Sequence, residues 1–458
     1  MAGNSAMQEL FDASGAAELI AAGDTFSATA LHHGANDWSR ALRRAGIARG
    51  DRVVCALPNG PAFIQLLVAC LADGVTLAPV PASDDVAPLL EALDARVAIA
   101  ESSTHPHVAV PSRNGGPPSG PLLARVATAR TDAVAFLLRS SGTAGPPRWI
   151  ALSESGVLAT LESHLPKLAV DGASVLCVLP WFHAFGLVLG LLPALLRARR
   201  IVTVGDTVRE TADLVGFATM HGVSNLCMVP LMATRLASRS DGLTMLQSLG
   251  GGLVGGAPID GASSAMLTTT RLRVGYGQTE AGPGIMLGEP GEFRAAFLGR
   301  PVGCDVRIDA DGVLAFCGPS ACTGYWQNGA LQSLDADRWQ RTDDLVTEDG
   351  GAYTFVGRLS MTFKLANGKL VQAPQVEARI RQVIPRISEV VLVSAEGIGI
   401  DATYSTQDDA PVDAQDFRQA IGSLQVYLRS ATCVQRDAWP RSAKGEIDRR
   451  ALVRPPTQ

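Results

Sequence analysis

Residues 135–150 read AFLLRSSGTAGPPRWI. An apolar run ends at Arg139 and gives way to Ser140-Ser141-Gly142-Thr143-Ala144-Gly145. Glycine and small residues let backbone N–H groups turn inward around an anion, and hydroxyls add donors. The segment is not the GxxxxGK[ST] phosphate loop, because no Lys-Ser/Thr follows. Taken alone, such a turn is more often a plain loop than a phosphate site. What decides the fold is its setting, a strand that ends in a turn within a chain where strands and helices alternate.

Working toward the N-terminus, 52–57 (RVVCAL) reads as a buried strand, 61–72 as a helix, 76–80 as a strand, 89–93 as a helix and 97–100 as a strand. Toward the C-terminus the pattern resumes with strands at 175–179, 200–204 and 225–229 and helices at 187–198 and 212–221. Strands separated by helices predict a mostly parallel sheet covered on both faces. After about residue 302, short strands at 305–308, 313–317 and 352–356, split by Asp-Gly and Gly-Gly turns, predict a small antiparallel unit. From 360 onward the expectation is α+β, with helices at 371–383 and 415–427 and a strand at 389–394. Residues 106–120, rich in Pro, Gly and Ser, read as a surface loop.

The 458 residues call for more than one domain. A composition 47% hydrophobic and 18% charged excludes a disordered or fibrous chain. The net charge of -5 argues against nucleic acid as a partner. Eight single cysteines, with no CxxC pair, read as free thiols in a reducing compartment. Residues 1–15 are polar, and the longest apolar run, near 185–196, is too short to span a bilayer and carries Pro193. The expectation is a cytoplasmic enzyme with no transmembrane segment. Only four of the 39 basic residues are lysines, namely Lys167, Lys364, Lys369 and Lys444, so each merits inspection.

Four further segments bear chemistry. Gly275-Tyr276-Gly277-Gln278-Thr279-Glu280 follows the expected strand 272–274, at the kind of strand end where open α/β sheets bind ligands. Its hydroxyl and carboxylate suit Mg²⁺ held between protein and phosphate; the plainer reading is a tight turn with a surface Glu. Arg341-Thr342-Asp343-Asp344-Leu345 and Val356-Gly357-Arg358 offer an acid facing an Arg, able to grip a ribose or to form an exposed salt bridge. In 440–449, PRSAKGEIDR, Lys444 beside Gly445 is either a mobile cationic finger or part of a solvated tail.

In this order and spacing, these segments resemble the adenylate-forming superfamily of acyl-CoA synthetases, luciferases and peptide-synthetase adenylation domains. Further matches are 179–186 (LPWFHAFG), 255–258 (GGAP), 298–302 (LGRPV) and 324–326 (GYW), so the resemblance spans nearly the whole chain. It implies an α/β fold with a large multi-sheet N-terminal AMP-binding domain (1–358) that includes a small barrel-like β unit. A small mobile α+β C-terminal lid (359–458) would turn about Ser360. The implied activity joins a carboxylic acid to AMP at the expense of ATP and Mg²⁺, then passes the acyl group to a thiol of CoA or of a phosphopantetheinyl acyl carrier protein. By the same resemblance, Ser140, Ser141, Gly142, Thr143 and Gly145 hold phosphate, with Arg148 where Lys is usual. Thr279 touches the α-phosphate and Glu280 holds Mg²⁺. Tyr276 stacks on adenine, with Gly255, Gly256, Ala257 and Gly277 lining its slot. Asp344 and Arg358 bind the ribose, and His183 borders the acyl pocket and thiol tunnel. The family's usual Gly-Lys ending is replaced by Gly445-Glu446, which gives Lys444 the bridging role. Segment 363–369 (FKLANGK) looks most like the long-chain acyl-CoA synthetase branch.

Residues 181–185 (WFHAF) hold no carboxylate to pair an α-ammonium, and an unpaired buried ammonium is costly. An apolar acyl or aryl acid is therefore expected in place of an α-amino acid. Two alternatives stay open. One is an acyl-AMP ligase loading a biosynthetic carrier protein. The other is a catalytically weakened nucleotide- or acyl-binding homologue, suggested by Arg148, Trp149 and Glu446.

Overall fold

Helix Pro61–Asp73 shows how local sequence and packing agree in this protein. Proline lacks the N–H that a first helical turn leaves unpaired, and Gly74 ends the helix in the left-handed region at φ +65°. The helix packs on Ala28–Arg44, whose Ser27 hydroxyl accepts from the Ala30 N–H at 3.1 Å and whose last turn carries Arg43 and Arg44 against the dipole. The computed structural model describes residues 17–21, 23–102, 107–112, 115–117, 122, 134–140, 148–204, 211–335, 337–365, 367–368, 370–395, 399–440, 447 and 449–452.

The chain divides into two units. The first is Met1–Arg307, Ala315–Gln340 and Glu348–Thr354; the second is Ile308–Leu314, Arg341–Thr347 and Phe355–Gln458. Strands Val313–Cys317, Gln340–Asp349 and Ala352–Arg358 each contribute residues to both.

The first unit holds two large sheets. One has Asn225–Cys227, Ser174–Cys177, Arg200–Thr203 and Glu18–Ala21 in parallel, with Asp24–Phe26 antiparallel at its edge. The other runs Ala330–Ser333, Gly324–Gln327, Trp149–Ser153, Val134–Arg139, Thr76–Pro79, Arg52–Ala56, Val97–Ala100, Val108–Ala109. Its last five strands are parallel, while the first three run antiparallel to their neighbours. Arg52–Ala56 is buried at every residue, as a strand covered on both faces must be. In a third set, Leu253–Gly255 and Arg273–Tyr276 are parallel, followed by antiparallel Met286–Leu287 and Phe297–Pro301. The alternating α/β pattern is present, and the sheets are more mixed than expected because each closes with hairpin-linked strands.

The second unit has its own core, in which Ile380, Leu392, Ile400, Tyr404 and Phe417 are buried. Helices Ala373–Val383 and Ala414–Ile421 accompany a sheet of Ile387–Ala395, Gly399–Thr406 and Leu428–Cys433.

Several expected elements are corrected. The helix expected at 187–198 is a π-helix, Phe185–Leu191, continued by an α-helix, Leu192–Arg197; the change of register falls at Pro193, which has no N–H to donate. Residues 371 and 372 belong to strand Leu370–Gln372, and the helix begins at Ala373 with Pro374 in its first turn. The helix expected at 415–427 stops at Ile421, where Gly422 at φ +67° leads into a 3₁₀ segment. The expected loop 106–120 contains the edge strand Val108–Ala109 in its described part. Strand Gln340–Asp349 was unexpected: buried and outward residues alternate from Gln340 to Val346, but charged residues fall on both faces and read as a motif.

Candidate functional site

The Ser/Gly/Thr turn joins two antiparallel strands, Val134–Arg139 and Trp149–Ser153. Its base is closed by two hydrogen bonds. The Ser140 N–H donates to the Arg148 carbonyl at 2.8 Å, and the Arg148 N–H donates to the Ser140 hydroxyl at 3.0 Å. Residues 141–147, and with them Ser141, Gly142, Thr143 and Gly145, lie outside the described residues.

Arg148 is exposed and its guanidinium carbon lies 4.9 Å from the centre of the Tyr325 ring. The same neighbourhood contains Glu280. The Glu280 backbone carbonyl accepts from the Cys322 N–H at 2.7 Å, and its half-buried carboxyl is pushed up by burial while Arg148 partly offsets the shift. Burial also pushes the Tyr325 hydroxyl up to about 12 and the Cys322 thiol up to about 11, so both stay protonated at neutral pH. Ser140 and Arg148 are thus hydrogen-bonded to each other, and the Arg148 charge acts on the Glu280 carboxyl.

Tyr276 closes strand Arg273–Tyr276, and its carbonyl accepts from the Ile285 N–H at 3.0 Å, which folds 277–284 into a loop at the strand end. Gly277 allows that loop to close: a Cβ there would lie 1.6 Å from the Pro283 carbonyl oxygen. Gly255 pairs in register with Gly275, and a Cβ on Gly255 would lie 2.5 Å from the Gly275 carbonyl oxygen. Exposed Gly256 and Ala257 follow the strand end. Thr279 and Glu280, in the 3₁₀ turn Thr279–Ala281, are oxygen donors of the kind Mg²⁺ takes.

Beneath this loop sits a feature sequence reading did not single out. His164 is buried, its Nε2 has no partner, and a Cβ on Gly284 would lie 2.1 Å from that nitrogen. Burial holds its pKa down at about 4, so it is a neutral packing residue.

His183 stands exposed just before the π-helix, its ring 4.5 Å from that of Phe182. The preceding turn is pinned by buried Asn59. The Asn59 Nδ2 donates to the Leu179 carbonyl at 2.9 Å, and Oδ1 accepts from the Trp181 N–H at 2.9 Å. Asn59 was missed; its only signal was the Pro-Asn-Gly-Pro run just before a helix.

In the second unit, Arg358 Nε donates to Asp344 Oδ1 at 3.0 Å, and Asp344 is largely buried. Within its strand, Thr342 accepts from the Asp344 N–H at 3.1 Å and donates to the Leu314 carbonyl at 2.8 Å. Asp343 instead accepts from the N–H of Ser360 at 2.9 Å and from its hydroxyl. Arg341 forms exposed bridges to Asp309 and Asp311. Residues 441–446, including Lys444, lie outside the described residues, as does Lys369. Among the described residues no helix is long and apolar enough to cross a membrane, and no disulfide joins any of the eight cysteines.

Three comparisons bear on this arrangement. The model of the AMP-binding enzyme family matches residues 12–326. Feruloyl-CoA synthase of Amycolatopsis sp is 27% identical over 411 residues, covering 79% of this chain and 82% of that protein. Salicyl-AMP ligase / salicyl-S-ArCP synthetase of Mycobacterium tuberculosis is 27% identical, covering 90% of this chain and 82% of that one. O-succinylbenzoate coenzyme A synthetase from Bacillus subtilis, solved in complex with ATP and magnesium ion, superposes with a TM-score of 0.78 at 18% identity, covering 98% of this chain and 99% of its own. With the family model spanning well over half of its length, the chain belongs to the AMP-binding enzyme family.

Proposed function

We propose that this protein is an AMP-forming, ATP-dependent acid–thiol ligase acting on an aryl or other apolar carboxylic acid. The acid's carboxylate attacks the α-phosphate of ATP, pyrophosphate leaves, and a thiol displaces AMP from the acyl-adenylate. Support comes from family membership and from relatives named as ligases of aromatic acids, which favour an enzyme over a weakened nucleotide-binding homologue. The observation that carries the reading is that Arg148, tied by its backbone to Ser140 at the exit of the Ser/Gly/Thr turn, brings its charge to bear on the desolvated carboxyl of Glu280.

The first step gathers negative charge at phosphorus, so placed cations and donors matter more than a general base. In this reading Ser140, Ser141, Gly142, Thr143 and Gly145 hold the leaving pyrophosphate, with Arg148 supplying positive charge. Thr279 donates to the α-phosphate. Glu280 holds Mg²⁺, whose charge when bound would neutralise phosphate oxygens. Tyr276 stacks on adenine beside Gly255, Gly256, Ala257 and Gly277, and Asp344, held by Arg358, binds the ribose. Lys444 bridges carboxylate and phosphate, and His183 borders the acyl pocket. Residues 359–458 act as a lid that turns about Ser360, which Asp343 tethers. The acceptor is taken as CoA, with a carrier-protein thiol as the second possibility suggested by the Mycobacterium relative.

ATP–pyrophosphate exchange over a panel of carboxylic acids tests the reading. Exchange with an aryl or apolar acid is expected, and α-amino acids should give none. A folded protein that binds ATP yet exchanges with no acid would return the chain to the nucleotide-binding alternative. Adding CoA or a phosphopantetheinyl protein then identifies the acceptor.

A further inference from the structure

We propose that Tyr325 is a positioning residue for the pyrophosphate-side cation, its ring holding the Arg148 guanidinium in place beside Glu280. The inference rests on the nucleotide reading above and extends it to a residue given no part there. Strand Gly324–Gln327 pairs antiparallel with Trp149–Ser153, with Tyr325 directly opposite Ile150. Arg148 lies two residues before Ile150, so it is the diagonal neighbour of Tyr325 on the same sheet face, within reach of an aromatic ring. The guanidinium carbon is 4.9 Å from the ring centre, inside the range of a cation–π contact.

Three features make this contact more than surface packing. Arg148 is exposed, yet its backbone is tied by two hydrogen bonds to Ser140, so the side chain starts from a fixed point. Tyr325 is half-buried and its hydroxyl remains protonated, which leaves a neutral ring face for the cation. The Glu280 backbone carbonyl is bound by the Cys322 N–H, on the stretch of chain that leads into the Tyr325 strand. Left free, an arginine would swing across to a desolvated carboxylate and neutralise it. Held on the ring, it keeps a fixed place at the strand end while Glu280 stays available to a metal. A planar guanidinium suits this role because it stacks flat, whereas an ammonium is a compact point charge.

The test is a double-mutant cycle of Tyr325→Leu and Arg148→Ala, with Tyr325→Phe as the conservative variant, in the full chain. It is read by calorimetric titration with MgATP, by pyrophosphate exchange, and by thiol transfer from supplied acyl-adenylate. Tyr325→Leu should weaken MgATP binding and raise its KM by about fivefold to tenfold, the size of a partly desolvated cation–π contact. Phe should restore both. In the Arg148→Ala background the Leu change should add less than about twofold, since the partner is gone. Thiol transfer, in which pyrophosphate has already left, should change little in Tyr325→Leu. An equal loss in both backgrounds, no rescue by Phe, or parallel loss in both half-reactions would overturn the proposal and leave Tyr325 a packing residue. Failure of this cycle with exchange intact removes only this inference. An intact cycle with no exchange removes only the reaction assigned above.

Discussion

Tyr325 and Trp326 are consecutive residues of one strand, and each carries an arginine on its ring, on opposite faces of the sheet. The two pairs differ in everything else. Arg52 lies 4.4 Å from the Trp326 ring and is buried; its Nη2 bonds the Asp94 carboxylate at 2.8 Å and the Asp94 carbonyl at 2.9 Å, and its Nε bonds the Leu93 carbonyl at 2.6 Å. Trp326 adds its own bond, Nε1 to the Ala92 carbonyl at 3.1 Å. Burial lowers the Arg52 pKa, and the Asp94 and Asp51 charges push back. Arg148 over Tyr325 is exposed, and its charge acts on the half-buried Glu280 carboxyl. A cation whose donors are spent on carbonyls and a carboxylate serves architecture. A cation on a ring, with no side-chain hydrogen bond among the described residues, is available to a ligand.

The sharpest way to break this contrast is Arg52→Met. Removing one partner of a buried ion pair strands the other, so a loss of about 3–5 kcal/mol is expected in denaturant unfolding. A loss under about 1 kcal/mol would put the pair in the class of surface salt bridges and erase the distinction.

Replacing each ring by Leu compares the two faces directly. Trp326→Leu should cost about 3 kcal/mol, since a fully buried indole and its hydrogen bond are lost, and Tyr325→Leu about 1 kcal/mol. Equal costs measured by the same unfolding series would show that Tyr325 is as structural as its neighbour.

The smallest effect should run the other way. The Glu280 carboxyl has its pKa raised by burial in the folded state, so its ionisation opposes folding. Its contribution is therefore favourable below the unfolded value of about 4.3 and is lost as pH rises through the folded pKa. Glu280→Gln should stabilise the protein by less than about 1 kcal/mol at pH 7, with the gain fading toward pH 4, while exchange that depends on Mg²⁺ collapses. Destabilisation at pH 7 would mean that the carboxylate is held by protein partners and not kept for a cation.

Legibility in the sequence varied for physical reasons. Strands buried on both faces, such as Arg52–Ala56 and Val97–Ala100, announce themselves as apolar runs, and Pro61 with Gly74 marks the ends of a helix to within a residue. Gln340–Asp349 is hidden because its buried face carries Gln340, Thr342 and Asp344 in place of an apolar row, so no alternation of apolar and polar residues marks a strand. Asp343 and Asp344 are adjacent in sequence and point to different partners, Ser360 and Arg358, a division that alternation along a strand creates and composition cannot show. His164 was missed for the opposite reason, since a histidine on a helix gives no sign of being enclosed.

What the sequence by itself determined is the alternating α/β order, the glycine-rich strand ends at 140–145 and 275–280, and the lineage that their order implies, because local periodicity and turn chemistry are written in neighbouring residues. Only the tertiary structure decided which arginine is a buried strut and which stays exposed on its ring. That choice depends on the face of a strand on which each ring falls and on how many carbonyls lie within reach, and both are set by residues dozens to hundreds of positions apart.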